Sequence, residues 1–180
     1  MIFALAGRRI DAPDASTPRF PAQNIPVVRQ KILALFKEHQ PQALICSAAC
    51  GADLLALQVA EELNIHREIV LPFPPAIFRQ FSVADRPGDW GAIFDQIVAD
   101  LEPLHQIIQL NLNSEAGEGA YLTANWAILD RAQSLAREKN QPLSAVLVWN
   151  GSSRPNQDVT LAFLHSAQSA HLPILQIPTL

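Results

Sequence analysis

The strongest constraint on how this chain folds is an alternation along its whole length. Six apolar, strand-like runs lie near residues 2–6, 43–47, 67–72, 104–110, 144–149 and 173–177, and stretches of helical periodicity separate them. Runs that are apolar at nearly every position suit strands buried on both faces. Parallel strands in turn need crossover connections long enough to hold a helix. The expectation is therefore an α/β protein: a doubly wound, mostly parallel sheet of about six strands with helices on both faces.

Five helices are expected between the strands. The first spans about Pro26–Glu38, with Val27, Ile32, Leu35 and Phe36 as its core stripe. The second is the most regular: Ala52, Leu55, Ala56, Val59, Ala60 and Leu63 recur at helical spacing, while Gln58, Glu61 and Glu62 fall elsewhere. The others cover Trp90–Leu101, Tyr121–Lys139 and Gln157–Ala170. Two segments break this rhythm. "PFPPAIFRQFSVADRPGD", residues 72–89, reads as a long proline-rich connection of the kind that is often functional, and "NLNSEAGEGAY", residues 111–121, reads as a lid or an exposed loop. "DAPDASTPRFPAQNIP", with four prolines, is a loop.

A chain of 180 residues that is 49% apolar can bury one substantial core, so one domain over residues 1–180 is expected. Only 17% of residues are charged, against roughly 25% in ordinary proteins, which admits contacts between copies of the chain. The net charge of −4 and the lack of Lys/Arg runs argue against nucleic acid as a partner. The opening "MIFALAG" is too short to cross a bilayer and lacks the basic start and cleavage site of a signal peptide. It reads as a strand, with no membrane partner and a cytoplasmic location. Cys46 and Cys50 stand alone as C-x3-C, without a second pair for zinc, and read as reduced, largely buried thiols. The five histidines are scattered, and the G-x-x-x-x-G-K-[ST], G-x-G-x-x-G, H-E-x-x-H and G-x-S-x-G motifs are absent. No metal site and no cofactor are expected.

In an open parallel sheet, ligands bind beyond the carboxyl ends of the strands. That rule selects four turns. Gly7, Arg8 and Arg9 follow the first strand, and arginine suits phosphate because its planar fork donates two hydrogen bonds together. Either arginine would serve equally as a structural partner for a nearby Asp. In "SAACGAD", Gly51 and the small Ala48 and Ala49 would let a ligand phosphate or ribose reach the free N–H groups of the second helix, although close packing at a tight turn explains the same residues. Ser47 either caps that helix or bonds the ligand. Asp53 would repel a phosphate and suits a ribose hydroxyl or an amine, if it does not simply complement the helix dipole. Arg79 and Ser82 come from the third turn, with Arg86 further along it, and Gly151 and Thr160 flank the last.

Taken together, "LAGRRIDAPD", "SAACGADLLALQVAEEL", "IVLPFPPAIFRQFSV", "YLTANWAIL" and "AVLVWNG" resemble the SLOG superfamily. This Rossmann-like group includes the DNA-processing proteins and the LOG, or "lysine decarboxylase-like", proteins. The best match is to a branch found alone or beside signalling domains. The resemblance implies a domain that binds a small nucleotide or nucleotide derivative through Gly7, Arg8, Ser47, Gly51, Asp53, Gly151 and Thr160. Tyr121 and Asn125 match a recurrent Y-x-x-x-N of that branch. The chain departs from LOG enzymes where their P-G-G-x-G-T loop would stand, since it carries "PNQDVT" with no glycine pair.

The expected function is accordingly nucleotide binding or sensing. Whether the chain is an enzyme stays open. Hydrolysis or transfer at an N-glycosidic bond, with Asp53 or Glu118 as the assisting carboxylate, is the first alternative. An oligomeric scaffold with a decayed site is the second.

Overall fold

The computed structural model describes residues 1–113, 117–154 and 158–180. Six parallel strands form one sheet: β1 (Ile2–Gly7), β2 (Ala43–Cys46), β3 (His66–Leu71), β4 (Ile107–Gln109), β5 (Leu143–Trp149) and β6 (Ile174–Pro178). Their spatial order is β4-β3-β2-β1-β5-β6. Every neighbouring pair runs parallel, so the sheet is wholly and not just mostly parallel. Among the described residues six α-helices connect the strands: α1 (Ile25–His39), α2 (Ala52–Glu62), α3 (Pro75–Ser82), α4 (Trp90–Leu101), α5 (Glu118–Glu138) and α6 (Val159–Ser169). The architecture is the Rossmann-like doubly wound α/β fold. No described helix is long and apolar enough to cross a membrane.

Strand alternation sorts the core into two layers. Phe3 and Leu5 of β1 face the layer built with α1, α2 and α4, whereas Ile2, Ala4 and Ala6 face α5 and α6. From β1 the chain steps outward through β2 and β3 to β4, then α5 carries it back across the sheet to β5 on the other side of β1. Right-handed crossovers made in opposite directions put their helices on opposite faces. The reversal at β1/β5 is the point where such sheets bind ligands.

Local sequence explains the elements that differ from expectation. The α3 helix lies inside the segment expected to be a loop, because Pro75 occupies the first helical position, where a missing N–H costs nothing. On α1 the buried stripe is Val28, Ile32 and Phe36, at i, i+4 and i+8; Val27 is exposed, one position out of phase. The fourth strand is only Ile107–Gln109, since residues 102–104 form a 3₁₀ turn and His105 sits at φ 56°. The α5 helix starts three residues earlier than expected, at Glu118, directly after Gly117 at φ 55°. Gln157, the expected start of the last helix, lies outside the described residues, and α6 begins at Val159.

Candidate functional site

A cleft of about 220 Å³ opens at the carboxyl edge of the sheet, floored by Leu5, Ala6 and Gly7 of β1. Pairing between β1 and β2 extends only to Ala4↔Ile45, whereas pairing between β1 and β5 continues to Gly7↔Val148. The last residues of β1 thus part from β2, and the start of α2, α3, α5 and the start of α6 wall the space between them.

Most sequence-derived candidates meet here. Gly7, Arg8, Arg9, Ser47, Asp53, Ser82, Glu118, Tyr121, Asn125 and Thr160 all line the cleft. Ala48, Gly51, Arg79 and Gly151 do not line it. Arg79 lies on the outer side of α3, in a two-bond pair with Asp95 of α4 at 2.7 and 2.9 Å. Gly151 sits at φ 74° in an open turn, with nothing crowding its α-carbon.

The small residues between β2 and α2 meet protein backbone. Gly51 has φ 96°, and a Cβ there would lie 2.8 Å from both the Arg8 carbonyl oxygen and the Ile10 nitrogen. The N–H of Ala52 donates to the Arg8 carbonyl, and that of Cys50 to the Ser82 carbonyl. Donors that sequence reasoning offered to a phosphate are therefore engaged by the chain leaving β1 and by the end of α3. Gly7 has the same kind of role, since a Cβ would come within 2.3 Å of the Ala52 Cβ. Glycine here lets α2 pack closely on β1.

Arg8 is only 2% exposed. Its Nη1 and Nη2 donate to the two oxygens of Asp158 at 2.6 and 2.8 Å, Nη2 also donates to the Ser152 carbonyl, and Nε donates to Asn150. The guanidinium lies 5.6 Å from the Trp149 ring centre. Asp158 caps α6 by accepting from the N–H groups of Thr160 and Leu161, and it accepts from that of Arg154 as well. Burial pushes this carboxyl up, but the Arg8 fork and the backbone donors outweigh burial and hold it at about 2. Arg8 and Asp158 thus form a closed unit that ties the end of β1 to the start of α6.

Asp53 is the opposite case. It is 6% exposed and faces the cleft; Oδ2 accepts one bond, from the Ala49 N–H at 3.2 Å, and Oδ1 has no partner among the described residues. Burial raises its carboxyl to about 7, against the opposing pull of that N–H and of the Arg9 charge. A buried acceptor without a donor is costly unless something else supplies one. Opposite, the Tyr121 hydroxyl bonds the Ser82 hydroxyl at 2.8 Å, and Phe73 packs edge-on against the Tyr121 ring. Asn125 donates to the Val159 carbonyl at 2.8 Å and holds α5 to α6.

Sequence reasoning passed over Arg154 and gave Asp158 no role beyond marking a helix start. Asp158 carried a local signal, an Asp immediately before a helix-like stretch. For its partner Arg8, 150 residues earlier, pairing with an Asp was one of two alternatives, with nothing to say which Asp. Among the described residues, no group of three or more His, Cys, Asp or Glu side chains is arranged to hold a metal ion. No protein-family model and no curated protein sequence matches this chain.

Proposed function

We propose that the cleft binds a nucleotide or a nucleotide-derived small molecule, and that Asp53 reads the ligand's hydroxyl or amine donors. The observation that carries this reading is the unpartnered Oδ1 of Asp53, buried in a cleft at the β1/β5 reversal of a parallel sheet. A vicinal diol or an amine would supply the missing donor. Phe78 and Tyr121 offer ring surface for a base, and Ser47 and Ser82 offer hydroxyls. The cleft volume of about 220 Å³ is below the roughly 300–1,000 Å³ usual for drug-sized ligands, which favours a mononucleotide over a dinucleotide. The resemblance of the turn motifs to the SLOG superfamily supports this reading, and membership of that superfamily, a signalling role and a cytoplasmic setting are proposed on that resemblance. Self-association, which the low surface charge admits, is tested by light scattering.

The test is calorimetry with adenosine, AMP, ADP, ADP-ribose, NAD and cyclic nucleotides against the folded protein and its Asp53→Asn variant. Saturable binding that weakens in the variant supports the reading; no binding of any of them at millimolar ligand refutes it.

One observation favours a second reading. A carboxyl that titrates near 7 is suited to donate a proton at neutral pH, which would assist departure of a base from an N-glycosidic bond. Glu118, at the first position of α5, is exposed and lines the same cleft. Free base released from nucleoside monophosphates or NAD, and lost in Asp53→Asn, would establish this chemistry. An unchanged chromatogram for every substrate would eliminate it.

A further inference from the structure

We infer that Arg154 and Arg9, which both line the cleft, form an oxyanion subsite there, and that a ligand's phosphate lies on them and not on a helix N-terminus. This inference rests on the reading of the cleft as a ligand site.

Helix N-termini are the usual anion seats in folds of this kind. Three helices bring their N-terminal turns to this cleft, and each carries its own carboxylate: Asp53 on α2, Glu118 on α5 and Asp158 at the cap of α6. The α6 seat is filled outright, because Asp158 already collects the Arg8 fork and three backbone N–H groups. At α2 the Ala52 N–H is engaged by Arg8, and an ionised Asp53 repels an incoming phosphate. An anion has to find its donors among side chains instead.

Most arginines around the sheet edge are already committed. Arg8 pairs with Asp158, Arg79 with Asp95, and Arg86 with Asp85. Arg154 is different: it lines the cleft, and among the described residues its guanidinium pairs with no carboxylate. Arg8 and Arg9 line the same cleft. Burial lowers the titration of Arg154, and the charge of Arg8 lowers it further against the pull of Asp158. Arg9 lines the cleft as well and shares Asp85 with Arg86. Two guanidinium groups lining one cleft, with Arg154 free of any carboxylate among the described residues, are a match for a phosphate or diphosphate, which accepts several charge-assisted bonds at once.

The probes are inorganic phosphate and pyrophosphate, compared with chloride at equal ionic strength, and the readout is the thermal unfolding midpoint. The wild-type protein should show a saturable rise of a few degrees. Arg154→Ala should weaken half-saturation by about tenfold or more, the loss expected for a charge-assisted contact. Arg154 is exposed, so its removal leaves the core intact, and Arg9→Ala provides a second variant with the same expected direction. An equal response in wild type and both variants would overturn the inference, as would no wild-type response to either anion. Neither result would bear on binding of an uncharged nucleoside, so adenosine titrated in parallel separates failure of this subsite from failure of the ligand reading.

Discussion

Arg8 at the end of β1 and Asp158 at the cap of α6 form a fork-to-fork ion pair that is almost completely shielded from solvent, with bonds of 2.6 and 2.8 Å. The pair joins the two structural units that flank the sheet's reversal point, and it settles the α6 anion seat from within.

Removing one partner of this pair strands the other's charge in the interior. Arg8→Met or Asp158→Leu alone should cost about 3–5 kcal/mol in urea unfolding, and the double variant should cost clearly less than the sum of the two. The carboxyl's pKa of about 2 in the fold lies below its ordinary value of 3.8. The pair's contribution is therefore full above about pH 4 and is lost as pH falls toward 2, by roughly 2 kcal/mol. Stability that is additive across the two sites, or flat in this acid range, would contradict the assignment.

Asp53 works in the opposite direction. Its carboxyl titrates at about 7 in the fold against an ordinary 3.8, so the folded state favours the protonated form. Stability from this group is full below about pH 4 and is lost as pH rises through 7, by up to about 4 kcal/mol. Asp53→Asn should flatten the profile, leaving the variant more stable than wild type at pH 8 with the gap closing toward pH 4. Thermal unfolding across this range checks the claim, and parallel profiles for the two proteins would refute it.

Gly51 and Gly7 are the points where α2 meets β1. Gly51→Ala would combine a disfavoured φ of 96° with contacts of 2.8 Å to backbone atoms that have little room to move, for a loss of at least about 2 kcal/mol. Gly7→Ala should be comparably harmful through its clash with the Ala52 Cβ. Gly151→Ala, with open space around it, should cost only the strain of its positive φ. Denaturant midpoints order the three variants.

The fold was legible because strands buried on both faces leave continuous apolar runs, and all six strands lie where those runs predict them. The α3 helix was hidden by prolines that normally signal a break, though at a first helical turn they do not. The phase error on α1, Val27 for Val28, arose because one residue turns a helix by only about 100° and adjacent valines read alike. At the site, glycine and small residues marked the right turns, but sequence cannot tell a glycine that admits a ligand from one that admits a neighbouring strand exit. Gly51 is the latter. The state of each arginine was equally illegible, because Arg8, Arg9 and Arg79 find their carboxylates 150, 76 and 16 residues away.

The central claim is that the cleft at the end of β1 is a nucleotide-type ligand site read by Asp53. Its most direct test is an amide NMR titration with AMP, ADP and ADP-ribose. The account predicts saturable shifts centred on Gly7, Ser47, Asp53 and Tyr121, greatly weakened in Asp53→Asn. Silence across these ligands, or shifts centred instead on the Arg79–Asp95 side of α3, would contradict it.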